Sequence, residues 1–304
     1  MDGFVRSQEC RELLSALGVH AVLSSEELHA WRLSGVERLY LANGDTAVFK
    51  YALRPFLDEH RVLAHLREHG VPVPELRATT TRNGMLGMLL KDLGPPIREP
   101  TEQDAAAAAV RLHAALAPTW LDTLDEAALA ALPGQTLARL EDLQAAGRFP
   151  HAGDLLDALT ALDRIATSRA VGADRPPFGF CHGELHPSAV HVTAHGYHVL
   201  DFAMALRGPG LLDLAAWSGL RKPANPSGTR RLMQAYVHAG GDPAALTDRG
   251  GLPPERWALG WHRIQAAHWL LGCATNGIDP PDTDARHTTV LRRQLTSAAE
   301  LLAT

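Results

Sequence analysis

Phe180-Cys181-His182-Gly183-Glu184-Leu185-His186-Pro187-Ser188-Ala189-Val190-His191-Val192, followed by Val199-Leu200-Asp201-Phe202, concentrates chemistry-bearing side chains in one short stretch. Phe178 to Cys181, Val190 to Thr193 and Tyr197 to Leu200 read as short strands, so Glu184 lies in the loop leaving the first strand and Asp201 closes the third. This reading puts two carboxylates at the same end of a small sheet. Phosphoryl transfer needs such a pair, one to meet the attacking hydroxyl and one to hold Mg²⁺ on the nucleotide phosphates. A zinc site fits less well. The order His182-x-Glu184-x-His186 is wrongly phased for the helical zinc motifs, and Pro187 stops a helix there.

Outward from this stretch, the N-terminal side changes character near Gly94-Pro95-Pro96. Before that break, Arg11 to Leu17 and Ser25 to Trp31 read as short helices. Arg38 to Leu41 and Thr46 to Tyr51 then form a hairpin about Asn43-Gly44-Asp45. Arg54 to Gly70 reads as a helix, and Leu76 to Thr79 with Met85 to Leu90 as another strand pair. Beyond the break the chain reads as mostly helical: Thr101 to Leu116, Leu137 to Ala145, Leu155 to Arg169, Thr229 to Ala239, Pro254 to Leu271 and Thr288 to Ala303. Trp257, Trp261 and Trp269 recur at helical spacing and read as core.

Composition narrows the partners. With 304 residues and 46% hydrophobic content, the chain can bury one large core or two. Its net charge of -5 argues against a nucleic-acid or anionic-membrane binder, which needs a basic surface. Cys10, Cys181 and Cys273 are odd in number and far apart, which fits a reducing cytoplasm rather than a disulfide scaffold. The first residues do not resemble a signal peptide, and no apolar run approaches the roughly 18 residues of a membrane span. Of 29 basic residues only Lys50, Lys91 and Lys222 are lysine, so Lys50 inside the apolar run Val48 to Tyr51 stands out.

The sequence resembles the aminoglycoside phosphotransferase family, the small-molecule branch of the protein-kinase-like fold. That family's catalytic loop reads His-Gly-Asp-Leu-His-Pro-Gly-Asn, and its metal site Ile-Asp-Trp or Ile-Asp-Phe. His182 to Ala189 and Leu200-Asp201-Phe202 lie over these motifs. Gly208 to Ala215, Leu112-His113-Ala114, and Glu59 to Leu66 with Val71 to Pro74 resemble further family segments.

The resemblance implies an α+β, two-lobed kinase-like fold. Residues 1-93 would form a small β-rich nucleotide-binding lobe with an N-terminal helical extension, and 94-304 a larger, mainly helical catalytic and substrate lobe. It implies that Lys50 contacts the nucleotide phosphates, that Glu59 pairs with Lys50, and that Leu90, Lys91, Asp92 and Leu93 form the hinge meeting the base. Asp201 is the implied Mg²⁺ ligand. Asp213 is the implied structural acid, and His182 hydrogen-bonds backbone around Asp201. The implied cofactor is ATP or GTP with Mg²⁺, and the implied partner a small-molecule or peptide acceptor.

Two positions depart from the family pattern. Glu184 replaces the catalytic Asp, and Ala189 replaces the metal-binding Asn. The longer Glu stem shifts the carboxylate by roughly 1.5 Å, and misplacement of about 1 Å can cost ~100-fold in rate. Glu184 is therefore expected both as the catalytic group and as a metal ligand reaching the position Ala189 leaves without an oxygen. The alternative is a kinase-like pseudoenzyme acting as a binding or scaffold protein in a biosynthetic pathway. The nucleotide loop is thin, with Gly35 alone in Leu33 to Arg38.

Overall fold

A computed structural model describes residues 8–303. The chain divides into two compact units, one built from the segment up to Glu99 with Ser188–Ala205, the other from Pro100–Pro187 with Leu206 onward.

The first unit begins with α1 (Gln8–Ala16), β1 (Val22–Trp31), β2 (Ser34–Leu41) and β3 (Thr46–Leu53). Then come α2 (Glu59–Glu68), β4 (Leu76–Arg82) and β5 (Met85–Lys91). The strands form one antiparallel sheet in the order β1-β2-β3-β5-β4. Strand alternation sorts the side chains of β3 between the two faces. Ala47, Phe49 and Tyr51 pack with Leu39 and Leu89 beneath Cys10, Leu13 and Leu14 of α1. Lys50 therefore points to the opposite face, where Glu59 opens α2. The N-terminal helix covers the sheet face away from Lys50.

Ser25 to Trp31, expected as a helix, is part of β1. A lone helix of two turns is marginal in water, whereas here the segment pairs antiparallel with β2 from Val22↔Leu41 to Trp31↔Ser34. The first helical expectation, Arg11 to Leu17, corresponds to α1.

The second unit contains α3 (Glu102–Ala114), α4 (Glu126–Ala145), α5 (Gly153–Ala170) and β6 (Phe178–Cys181). Thr101 and Asp104 form a reciprocal capping box at the start of α3. Helix α4 starts well before the expected Leu137 and runs through Pro133. Asp125 caps its N-terminus, accepting from the Ala128 N–H at 2.8 Å. Burial of Leu129, Leu132 and Pro133 offsets the hydrogen bond that proline removes.

After β6 the chain returns to the first unit through β7 (Val190–Thr193) and β8 (Gly196–Val199), an antiparallel hairpin. Backbone bonds explain the grouping: the Ile97 N–H donates to the Val192 carbonyl at 3.0 Å, and the Val199 N–H to the Pro72 carbonyl at 2.8 Å. The second unit resumes with β9 (Leu206–Pro209), α6 (Leu211–Ala216), α7 (Pro226–His238), α8 (Pro254–Thr275) and α9 (Asp284–Leu302). Trp257 and Trp261 are fully buried and both indoles donate to the Arg169 carbonyl, which fits their reading as core, whereas Trp269, read the same way, is only half-buried.

The expected single small sheet is two separate ladders. β6 pairs with β9, which sequence patterning does not distinguish, while β7 pairs only with β8. Among the described residues, no helix is long and apolar enough to cross a membrane.

Candidate functional site

In the first unit the structure assembles Lys50, Glu59 and Asp201. The Lys50 ammonium donates to Glu59 Oε1 at 2.7 Å and to Asp201 Oδ1 at 2.8 Å. The backbone N–H of Phe202 donates to the same Glu59 oxygen at 3.1 Å, tying α2 to the segment that presents Asp201. Lys50 and Glu59 are buried, but the Asp201 side chain is 52% exposed, so an acidic oxygen donor reaches solvent beside a held cation.

Burial alone disfavours the Lys50 ammonium. The Glu59 and Asp201 carboxylates outweigh that effect and hold its pKa above the usual lysine value. Asp201 itself sits at φ +65°, a left-handed conformation that aspartate tolerates better than most residues and that turns its side chain out of the strand direction. Hard divalent cations prefer carboxylate oxygens, so the donor type fits Mg²⁺. Ala189 is buried and contributes only backbone, its carbonyl accepting from the Leu200 N–H at 2.8 Å.

Leu90 and Lys91, expected to belong to the hinge, lie at the end of β5. Asp92 follows, and its carboxylate is committed: it accepts from Arg38 Nε at 2.8 Å and from the Gly94 N–H at 2.9 Å. The Arg38 tie leaves no mark in the sequence, because nothing in local spacing links two residues so far apart. At Gly35 the structure shows a packing need rather than a phosphate approach. A Cβ there would lie 2.6 Å from the Tyr51 hydroxyl oxygen. Gly35→Ala is expected to lower stability by about 1–3 kcal/mol through overpacking, measured by urea unfolding.

The loop bearing Glu184 is organised within the second unit. Asp213, fully buried on α6, accepts from the His182 N–H at 2.8 Å and the Gly183 N–H at 2.9 Å. Burial works against the charged carboxylate, but His113 and the loop donors together outweigh it and hold the carboxyl below its usual range. His113 Nε2 lies 3.3 Å from Asp213 Oδ2, and its Nδ1 lies 3.3 Å from the Tyr236 hydroxyl. The Glu184 N–H donates to His182 Nδ1 at 3.2 Å, which leaves the Glu184 side chain at an exposed loop position.

His113, Cys181 and Asp213 hold donor atoms within 4.8 Å of one another. They form a structural tie rather than a metal cage. Both Asp213 oxygens are engaged by the loop, and the Cys181 thiol, which burial pushes well above its usual range, donates to the Gly208 carbonyl at 3.2 Å.

Residues 31–250 match the sequence profile of the phosphotransferase enzyme family. No curated protein sequence matches the chain significantly. Among solved structures, a choline/ethanolamine kinase family protein from Mesorhizobium loti is 16% identical, with TM-score 0.63, covering 95% of this chain and 97% of that one. A macrolide 2'-phosphotransferase from Brachybacterium faecium is 20% identical, with TM-score 0.58 and 95% of each chain covered. An amicoumacin kinase, solved with AMP-PNP, Ca²⁺ and Ami, is 14% identical, with TM-score 0.62, covering 97% of this chain and 94% of that one. These likenesses show a shared kinase-like fold.

Proposed function

Since the chain belongs to the phosphotransferase enzyme family, we propose that it transfers the γ-phosphoryl group of ATP or GTP to a hydroxyl of a small molecule, such as a natural product or antibiotic. The observation that carries this reading is the buried Lys50–Glu59 pair extended to the half-exposed Asp201. A nucleotide triphosphate needs a fixed cation and an oxygen donor for its metal, and this cluster supplies both.

Glu59 holds the Lys50 ammonium so that it meets phosphate oxygens without a fresh ordering cost. Asp201 is the residue we assign to hold Mg²⁺; a metal role for Glu184 rests on its longer stem and on the oxygen that Ala189 lacks. When bound, the ion neutralises the charge that builds on the transferring phosphoryl group. Leu90 to Leu93 are assigned to the base. Glu184 orients the acceptor and takes its hydroxyl proton as the oxygen bonds to the γ-phosphorus and the bond to the β–γ bridging oxygen breaks. His182 and Asp213 keep the loop in shape. In this reading the first unit handles the nucleotide, and the second carries the acceptor chemistry. Cys10, Cys181 and Cys273 are all buried, without a disulfide among the described residues, which supports a cytoplasmic setting.

The test is incubation of purified protein with Mg²⁺, ATP or GTP, and a panel of hydroxylated antibiotics and peptides, read by mass spectrometry. Phosphorylated product that disappears in Asp201→Ala supports the proposal. Absence of product together with absence of nucleotide binding contradicts it. Glu184→Gln is expected to lower kcat by about 10²–10⁴-fold, the usual worth of a positioned base. It is also expected to weaken Mg²⁺-dependent nucleotide binding, and unchanged binding would remove its metal role.

A further inference from the structure

We propose that Arg38 and Asp92 form a latch that positions the nucleotide base, with Leu93 as the residue whose backbone meets it. This inference rests on the nucleotide reading above. Asp92 follows directly on β5, and its Oδ1 accepts from the Gly94 N–H at 2.9 Å. Gly94 sits at φ +71°, a conformation glycine adopts without strain, so Asp92-Leu93-Gly94 is a tight side-chain-closed turn.

The turn is anchored from the sheet. Arg38 Nε donates to Asp92 Oδ2 at 2.8 Å and Arg38 Nη2 to Asp92 Oδ1 at 3.4 Å, a two-pronged grip. The same guanidinium reaches outward, its Nη1 donating to Glu26 Oε2 on β1 at 2.9 Å, where the Tyr40 hydroxyl also donates. The Asp92 side chain is 8% exposed and that of Arg38 17%, so this ion pair is largely shielded from the screening that weakens surface pairs. Burial works against the Asp92 carboxylate, yet the Arg38 guanidinium, the Gly94 N–H and Thr46 hold it below the usual carboxylate range.

The backbone pattern shows what the turn presents. The Lys91 N–H is taken by the Glu75 carbonyl at 2.9 Å, and Leu90 lies in the sheet ladders opposite Val48 and Leu76. Leu93, in the middle of the turn, makes no hydrogen bond through its N–H or carbonyl among the described residues. A purine edge, which offers a donor and an acceptor side by side, matches those two groups. Asp92 thus acts through the turn as a positioning residue rather than as a base contact. The β1–β2 hairpin and the base-binding turn are held by one guanidinium, so their placement is coupled.

Calorimetric titration with Mg-ATP, Mg-GTP and adenosine, alongside kinetics and thermal melting, tests the latch. Arg38→Met and Asp92→Ala are each expected to raise Kd about tenfold, the scale of one charge-assisted hydrogen bond. The loss should be equal for ATP and adenosine, because it arises at the base end, and should fall on the nucleotide KM rather than on kcat. Asp92→Asn keeps an acceptor for Gly94 and should lie between wild type and Asp92→Ala. A lowered melting temperature with unchanged Kd would overturn the latch, as would a loss confined to the triphosphates. No binding by the wild-type protein would remove the nucleotide reading itself.

Discussion

Lys50→Met is expected to lower phosphotransfer by about 10²–10³-fold and to destabilise the fold. The ammonium joins Glu59 and Asp201 at 2.7 and 2.8 Å. Its loss removes the fixed charge that the proposed function sets against the phosphates, and removing a preorganised group of this kind costs on the order of 10²–10³-fold in kcat. It also strands Glu59, a carboxylate 3% exposed whose Oε1 keeps only the Phe202 N–H and whose Oε2 is buried without a partner. Breaking a buried pair from one side costs about 3–5 kcal/mol. The double variant Lys50→Met with Glu59→Leu should recover much of that stability and none of the activity. Denaturant melts and turnover assays on both proteins check it; a stable, active Lys50→Met protein would show that the pair is ornamental.

Asp213→Ala should produce a large structural loss within the second unit. The fully buried carboxylate serves the His182 and Gly183 N–H groups and His113 at once. Each orphaned donor costs about 1–3 kcal/mol, and a loss of this size corresponds to a fall in Tm on the order of 10 °C. The pH dependence has a definite sign. Because the folded-state pKa of Asp213 is lowered, its contribution is fully present above the unfolded value of about 3.9. It disappears as pH falls through the lower folded value. The wild-type protein should therefore lose stability to acid more steeply than Asp213→Asn, and the gap between them should close at low pH. A constant gap down to pH ~2 would mean that the carboxylate charge is not what holds the loop.

Much of this arrangement is legible in the sequence, for identifiable reasons. Lys50 stands out as a lysine inside the apolar run Val48 to Tyr51, and Glu59 follows nine residues later in the segment read as the next helix. The short strands about Glu184 and Asp201 are marked by β-branched and aromatic residues. What local pattern does not carry is pairing. Ser25 to Trp31 contains good helix formers and becomes a strand only because β2 offers it an edge. The same limit hides β9, whose Leu206-Arg207-Gly208-Pro209 has no strand signature apart from its partner β6. The Arg38–Asp92 grip joins residues whose proximity arises from sheet order alone. The His113 partnership with Asp213 and Tyr236 likewise depends on helix packing between distant segments. Ala189 is legible as a missing oxygen, but its buried backbone role in holding Leu200 emerges only from the fold.

In the proposed function Asp201, held beside the Lys50–Glu59 pair, binds the metal of a nucleotide. Calorimetric titration of the wild-type protein and Asp201→Asn with ATP and with GTP, each with and without Mg²⁺, tests it most directly. Binding of at least one nucleotide that strengthens with Mg²⁺ in the wild type, and loses its Mg²⁺ dependence in the variant, is the predicted result. Absence of binding to either nucleotide, or a Mg²⁺ dependence that survives the substitution, would contradict it.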